Sequence, residues 1–265
     1  MTGFIGVGNM AGAIISSILK NNIESGGIML YDKLTLQYEK YPQLAVASSV
    51  TELVKKCDVI FISVKPDKVA EVLAECHAAL GDNGIQTKLF ISIAAGISIK
   101  YLTGILGENA AVVRVMPNTP MLVGCGVCAL SRGKNVTDNQ YCFARTVFSS
   151  AGEIIELDED KMNAVISLTS SSPAYLFELA DAMSNAAVIQ GFDKAESVRL
   201  CAAVFAGAAK MLLESGKTPA ELSRMVTSPG GTTRAALDVF EASGFASMIR
   251  DAMLACTKRA QELSK

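Results

Sequence analysis

The sequence predicts an α/β fold, with an N-terminal Rossmann-like doubly wound sheet followed by an all-helical C-terminal domain. Up to about residue 157, short β-branched segments alternate with helical patterns. This order is typical of a parallel sheet that helices cover on both faces. Beyond that residue the β-branched segments stop and long helical patterns follow. We therefore divide the chain into two domains, residues 1–157 and 158–265.

Six segments of the first domain have the nearly continuous apolar character of strands that are buried on both faces. They are TGFIG (2–6), IMLYD (28–32), LAVA (44–47), DVIFISV (58–64), KLFISIA (88–94) and AVVRVM (111–116). Helical spacing occurs between them, at residues 11–20, 50–56, 67–79 and 99–106. This alternation is the basis for predicting a doubly wound sheet.

The second domain carries helix signals only. Residues 174–190 and 195–214 are predicted as long helices, each closed by a glycine, and Thr218-Pro219-Ala220-Glu221 has the pattern of a capped helix start. The last helix has one apolar stripe, formed by Phe245, Ile249, Ala252, Cys256, Ala260 and Leu263. The small residues of these helices permit close packing against another subunit, so we expect an oligomer.

Composition argues against several classes of protein. Apolar residues make up 50% of the chain, charged residues 19%, and the net charge is −2. The chain therefore lacks the basic surface that nucleic acid or anionic lipid requires. No apolar stretch reaches the roughly 18 residues of a membrane span, and the N-terminus has no secretory pattern. We expect a cytoplasmic protein with a small-molecule substrate and without a nucleic-acid or membrane partner.

Cysteine and histidine usage gives little support to metal or redox chemistry. The seven cysteines are an odd number in a chain without an export signal, which favours reduced thiols. Cys125 and Cys128 have redox-motif spacing but lie in a segment that we predict as a strand, so we interpret both as buried core residues. The single histidine, His77, is interpreted as a surface residue without a partner. We expect no metal, and chemistry that depends on a cofactor and on hydroxyl and backbone groups.

A glycine-rich turn directly follows the first strand. Gly6-Val7-Gly8-Asn9-Met10-Ala11 matches G-x-G-x-x-A and opens a helix. In such turns the first glycine allows the tight turn, the second lets a pyrophosphate approach the backbone, and the helix N-terminus faces the negative charge. The context of strand, turn and helix predicts a dinucleotide site formed by Gly6, Gly8, Asn9, Met10 and Ala11.

The end of the second strand bears on which dinucleotide binds. Asp32 occupies the position where a carboxylate usually accepts a hydrogen bond from the ribose 2′-hydroxyl, which favours NADH. Lys33 beside it is a candidate partner for the 2′-phosphate of NADPH. The sequence leaves both cofactors open.

Three further loops follow strand ends and are expected at the nicotinamide, because ligands of such sheets lie beyond the carboxyl ends of the strands. They are Val64-Lys65-Pro66, Ala95-Gly96 and the segment 117–120, which contains Asn118. Each loop taken alone is equally compatible with ordinary turn chemistry.

The second domain contains one unusual segment, Ser228-Pro229-Gly230-Gly231-Thr232-Thr233, just before a helix. Free N–H groups at a helix start, with glycines that allow close approach, form a binding site for an anion such as a carboxylate. A glycine-rich turn with a threonine cap accounts for the pattern equally well.

Several motifs together resemble the pyrroline-5-carboxylate reductase family. They are GFIGVGNMA (3–11), VKP (64–66), SIAAGI (92–97), MPNTP (116–120), SPAY (172–175) and TSPGGTTRAALDVFEASGF (227–245). The resemblance implies an enzyme that uses NADPH or NADH to reduce a cyclic imine to L-proline. It also implies a homodimer formed through a helical substrate-binding domain, often assembled into a decamer.

The resemblance also implies roles for individual residues. The substrate carboxylate would bind at Ser228, Gly230, Gly231 and Thr232; Thr233 would contact the ring nitrogen as the catalytic residue, and Glu159 matches a position near the ligand. The chain departs from the family pattern at three places. It has Ser170-Ser171-Ser172-Pro173 instead of G-S-G-P, Val50 instead of an asparagine, and Met225 at a position that is often polar.

Three other functions compete with this reading. A 3-hydroxyacid dehydrogenase has a similar domain order, but its catalytic lysine has no counterpart in residues 167–179. A dinucleotide-binding regulator without turnover is favoured only by the serines at 170–172. A structural scaffold leaves both glycine motifs unexplained.

Overall fold

The computed structural model describes residues 1–23 and 26–264. The chain forms two compact units, one of Met1–Ser171 together with the chain from Cys256 onward, and one of Ser172–Ala255. The first unit thus continues beyond the last strand into a helical segment and takes up the end of the last helix. The functional division at residue 157 stays a prediction.

The first unit contains an eight-stranded sheet in the order β3-β2-β1-β4-β5-β6-β7-β8. All neighbouring strands are parallel except β6 and β7, which are antiparallel. The strands are β1 Thr2–Ile5, β2 Ile28–Tyr31, β3 Ala45–Val46, β4 Val59–Ile62, β5 Leu89–Ser92, β6 Ala111–Met116, β7 Gly126–Arg132 and β8 Gly152–Glu156. The predicted fold class is confirmed. The six predicted segments are β1 to β6, β7 is the strand expected around Cys128, and β8 is an additional strand.

Helices cover both faces of this sheet. One face packs against α1 (Asn9–Lys20) and α5 (Asp138–Ser149), and the other packs against α2 (Val50–Lys56), α3 (Val69–Ile85) and α4 (Ile99–Leu106). Because side chains alternate along a strand, Phe4 points into the first core and Ile5 into the second. Both residues are fully buried, so β1 is a central strand, as its apolar sequence predicts.

The second unit consists of helices. They are α6 (Ser172–Ile189), α7 (Lys194–Glu214), α8 (Pro219–Met225), α9 (Thr232–Ala242) and α10 (Phe245–Leu263), of which the last crosses into the first unit. The capping box of Thr218 and Glu221 is present as predicted. Large apolar side chains remain exposed on α6 and α7, with exposed fractions of 68% for Phe177, 89% for Ile189 and 84% for Leu213. Among the described residues, no helix is long and apolar enough to cross a membrane.

Two expectations about single residues need correction. The prediction that Cys125 and Cys128 are both buried is wrong for Cys125, which is exposed. Cys128 is buried, and burial raises the pKa of its thiol to about 12. Both thiols are free. His77 does have partners: its Nδ1 lies 3.0 Å from the carbonyl oxygen of Leu106, and its Nε2 lies 3.7 Å from Asp82. Both partners are distant in sequence or beyond the turn at Gly81, so local spacing does not reveal them.

We expect opposite effects from alanine at two glycines of the first unit. Gly152 has φ +149°, and a Cβ there would overlap the backbone of Gly126. Gly104 lies inside α4 with open space around it. Gly152→Ala should reduce the free energy of unfolding by about 2 kcal/mol or more, whereas Gly104→Ala should increase it by about 0.5 kcal/mol. Urea denaturation measures both changes, and equal stability of the two variants would contradict the strand pairing at Gly152.

Candidate active site

The glycine turn after β1 has the geometry that a pyrophosphate requires. Gly6 has φ +93°, and a Cβ at this residue would lie 2.7 Å from the carbonyl oxygen of Ser63, so only glycine fits. Gly8 is the N-cap of α1 without a side-chain cap, and a Cβ there would meet no atom within 4 Å. The first N–H groups of α1 therefore face open space, which fits a bound pyrophosphate.

A groove of about 410 Å³ begins at this turn and follows α1. The one-turn helix Thr119–Val123 forms its other wall, where Leu122 and Val123 are exposed. The groove is lined by Met121, Leu122, Val123 and Gly124, which directly follow the predicted segment 117–120. The place of Asn118 in a cofactor site stays a prediction.

Asp32 has a defined position at the glycine turn. Its Oδ2 accepts a hydrogen bond from the Val7 N–H at 2.7 Å, and its Oδ1 accepts one from the Leu34 N–H at 2.9 Å. The Tyr38 hydroxyl donates to the Asp32 carbonyl oxygen. The carboxylate therefore ties the end of β2 to the glycine turn, in addition to any contact that it makes with a ribose.

The loops after β4 and β5 lie side by side at the carboxyl edge of the sheet, because their strands are parallel neighbours. Lys65 is extended and Pro66 begins a one-turn helix, so the ladder stops where the sequence predicts. Gly96 is buried and has φ +74°; a Cβ there would lie 3.0 Å from the carbonyl oxygen of Leu263. The end of α10 thus packs directly on the loop that contains Ala95 and Gly96.

Asn118 is buried, and the protein itself uses its side-chain amide. Its Nδ2 donates to the Thr169 carbonyl at 3.0 Å, and its Oδ1 accepts from the Val127 N–H at 2.9 Å. Thr169 belongs to a π-helical turn, Ile166–Ser170, a type of turn that is frequent at functional sites. Asn118 therefore holds the loop after β6 against β7 and this turn, an arrangement that sequence reasoning did not identify.

Ser170, which replaces a glycine of the family pattern, and its neighbour Ser171 both have hydrogen-bond partners in the same region. Ser170 donates to the carbonyl oxygen of Pro117 at 3.3 Å, and Ser171 accepts a hydrogen bond from the Cys256 thiol at 3.3 Å. These hydroxyl groups add contacts within the first unit.

Glu159 is part of a partly buried ionic network. Its Oε1 accepts from the N–H of Ile99, the first residue of α4, at 2.5 Å, and from Arg114 Nη1 at 3.2 Å. Arg114 is buried and also donates to Asn163 at 3.0 Å. Glu159 thus caps α4 and neutralises Arg114; its predicted contact with substrate stays a prediction. The role of Arg114 was not predicted from the sequence, although an arginine inside the apolar strand AVVRVM indicates a buried partner.

The segment 228–233 forms an open helix start. Gly230 has φ +70°, and a Cβ on Gly231 would overlap the Ser228 hydroxyl. Gly231, rather than a threonine, is the N-cap of α9, and no side chain caps this helix. The alternative of a threonine cap is therefore wrong. The free N–H groups of the first turn of α9 remain available to an anion.

The fold and the glycine turn together define a dinucleotide-dependent oxidoreductase of the Rossmann type. The family described as NADP oxidoreductase, coenzyme F420-dependent, matches residues 1–96, and the family described as pyrroline-5-carboxylate reductase dimerisation matches residues 159–263. A curated pyrroline-5-carboxylate reductase of Haemophilus influenzae is 39% identical, over 98% of this chain and 96% of its own.

Two solved structures agree with this likeness. A pyrroline-5-carboxylate reductase from Coxiella burnetii has a TM-score of 0.91 at 30% identity, over 100% of this chain and 98% of its own. The pyrroline carboxylate reductase of Plasmodium falciparum, solved with NADP bound, has a TM-score of 0.90 at 29% identity, also over 100% of this chain and 98% of its own. The chain belongs to the pyrroline-5-carboxylate reductase family. The predicted NAD(P)H-dependent reductase function in proline biosynthesis is confirmed at the level of this family, and its dimerisation domain supports the expected oligomer.

We expect a substitution at Gly8 to weaken cofactor binding without loss of stability, and a substitution at Gly6 to reduce stability. Gly8→Val should leave the melting temperature unchanged, because its site is open, but weaken dinucleotide binding about ten-fold or more (~1.4 kcal/mol). Gly6→Ala should lower the melting temperature, because the strained φ and the Ser63 carbonyl oppose any side chain. Thermal denaturation and cofactor fluorescence titration measure the two effects. Wild-type affinity in Gly8→Val would exclude this turn as the pyrophosphate site.

Proposed function

We propose that this chain reduces pyrroline-5-carboxylate to L-proline and binds the substrate carboxylate at residues 228–232. The observation that carries the proposal is the uncapped start of α9 at Gly231. A carboxylate at this position would accept hydrogen bonds from backbone N–H groups and from the Ser228 hydroxyl. The positive end of the helix dipole adds favourable electrostatics.

The cofactor residues belong to the same proposal. The N–H groups at Gly8, Asn9 and Met10 bind the pyrophosphate, and Gly6 and Ala11 allow the close approach. The loops 64–66 and 95–96 face the nicotinamide side, with Asn118 positioning the loop after β6. A bound NADPH or NADH supplies the hydride.

Thr233 is the proposed catalytic residue. A protonated C=N bond is already an electrophile, so the protein needs mainly to orient the substrate and to bind its nitrogen as it becomes an amine. Thr233 is the second residue of α9 and half-buried, one residue beyond the proposed carboxylate position. Its hydroxyl is a suitable hydrogen-bond partner for that nitrogen.

The assembly and location of the protein complete the proposal. The exposed apolar side chains of α6 and α7 favour a homodimer formed through the helical unit, with a decamer as the larger assembly. The reduced cysteines and the cofactor favour the cytoplasm.

The reaction is tested by following the oxidation of NADPH and NADH at the nicotinamide absorbance, with and without pyrroline-5-carboxylate. Thr233→Val should lower kcat about 100-fold, because it removes one hydrogen bond at the reacting nitrogen. Dinucleotide affinity should stay unchanged, and the matched variant Thr233→Ser should retain most of the activity. Wild-type turnover in Thr233→Val would remove the catalytic role of Thr233.

We expect the introduction of one charged residue on α6 to disrupt the proposed subunit interface. Phe177→Asp should shift the protein toward monomer, because it places a carboxylate in an apolar interface. Leu36→Asp, at a side chain that is 71% exposed in the first unit, should leave the mass unchanged. Sedimentation velocity measures both, and a wild-type mass for Phe177→Asp would exclude this face of α6 as the interface.

A further inference from the structure

The charges at the end of β2 bear on whether the site accepts a 2′-phosphate. Both oxygens of Asp32 are fixed by backbone N–H groups, those of Val7 and Leu34. These two hydrogen bonds hold the carboxylate beside the glycine turn. Each oxygen has a second lone pair, so it still accepts a hydrogen bond from a ribose hydroxyl.

The neighbouring cation is already paired. Lys33 Nζ lies 2.8 Å from Oε1 of Glu71, a residue in the first turn of α3, and Lys68 Nζ lies 3.9 Å from the other oxygen of Glu71. The pair raises the pKa of Lys33 and lowers the pKa of Glu71, so both remain charged at neutral pH. The carboxylates of Asp32 and Glu71 balance the ammonium groups of Lys33 and Lys68. These four groups therefore leave no net positive charge near the end of β2.

The sequence lacks the residue that usually binds a 2′-phosphate. In Rossmann folds that use NADPH, an arginine near this position commonly accommodates the phosphate. The first arginine of this chain is Arg114, so the whole region from β1 to β5 contains none. Arg114 itself is buried and paired with Glu159.

We propose that this chain selects NADH over NADPH, with Asp32 as the specificity-determining residue and Glu71 as a positioning residue that keeps Lys33 from a 2′-phosphate. The proposal rests on the proposed function, since it concerns the same dinucleotide site. A 2′-phosphate would meet the Asp32 carboxylate, and Lys33, the cation next to Asp32 in the sequence, is already paired with Glu71. A 2′-hydroxyl would donate to the same carboxylate.

Two variants act on different parts of this arrangement. Asp32→Ser removes the repulsion between the carboxylate and a 2′-phosphate. It should therefore raise the ratio of the affinity for NADPH to the affinity for NADH about ten-fold or more. Glu71→Gln releases Lys33 from an exposed pair and should give a smaller shift, about two- to five-fold. Adding Lys33→Met to Glu71→Gln should abolish this smaller gain, because the released ammonium group carries it. Glu52→Gln is the matched control, since Glu52 forms a separate exposed pair with Lys56 at 2.7 Å.

The test is calorimetric titration with NAD⁺, NADP⁺, 5′-AMP and adenosine 2′,5′-bisphosphate, without pyrroline-5-carboxylate. We expect NAD⁺ and 5′-AMP to bind more tightly than their 2′-phosphorylated counterparts. Tighter binding of NADP⁺ to the wild type, or an unchanged preference in both Asp32→Ser and Glu71→Gln, would overturn the proposal. Binding of neither dinucleotide would overturn it together with the cofactor site. Preferred binding of NAD⁺ without turnover of pyrroline-5-carboxylate would support the selectivity and contradict the proposed reaction.

Discussion

The close approach of Gly6 to Ser63 is the constraint on which the site depends. At this point the chain leaves β1 with a positive φ, and the carbonyl oxygen of Ser63 occupies the space that a side chain would need. The turn therefore lies tightly against the end of β4. This places the start of α1 at the carboxyl edge of the sheet, with its N–H groups unpaired. Asp32 then fixes the same turn from the side of β2.

The buried Arg114 imposes a second constraint. A buried cation without a partner costs several kcal/mol, so the fold must bring a carboxylate to it. Glu159 meets this need and at the same time caps α4. The segment after the last strand is thereby attached to the sheet, which explains why the first compact unit continues to Ser171. A residue that the family resemblance relates to the ligand thus has a structural role in this chain as well.

Sequence patterns predicted most of the fold because its signals are local. The six predicted strands are all present, and helix α2 has the predicted bounds. Strand β8 was not predicted, because GEIIE, which lies at the sheet edge, contains two glutamates and lacks the apolar character of a central strand. The helix predicted over 67–79 is interrupted at Gly81, whose φ of +62° and ψ of 175° are non-helical, and the helical turns from there to Ile85 were not predicted.

The parts of the site that were predictable are those in which a local sequence motif determines the backbone conformation. They are the glycine turn and residues 228–233. Contacts between distant segments were not predictable. The amide of Asn118 binds Thr169 and Val127, and the partner of Lys33 is 38 residues away. Which residue satisfies a buried or charged group depends on how the elements pack, and one sequence does not contain that information.

The first compact unit is discontinuous in sequence, since the chain leaves it at Ser171 and returns at Cys256, where the two residues share a hydrogen bond. The helical unit is therefore an insertion whose two ends are joined at one point. The sheet precedes the helical unit in the sequence, and the end of α10 that packs on it follows that unit. The loop at Gly96 therefore has a packing partner, Leu263, that lies more than 160 residues further along the chain. The glycine turn differs in this respect, because the residues that fix it, Asp32 and Ser63, both precede the helical unit in the chain.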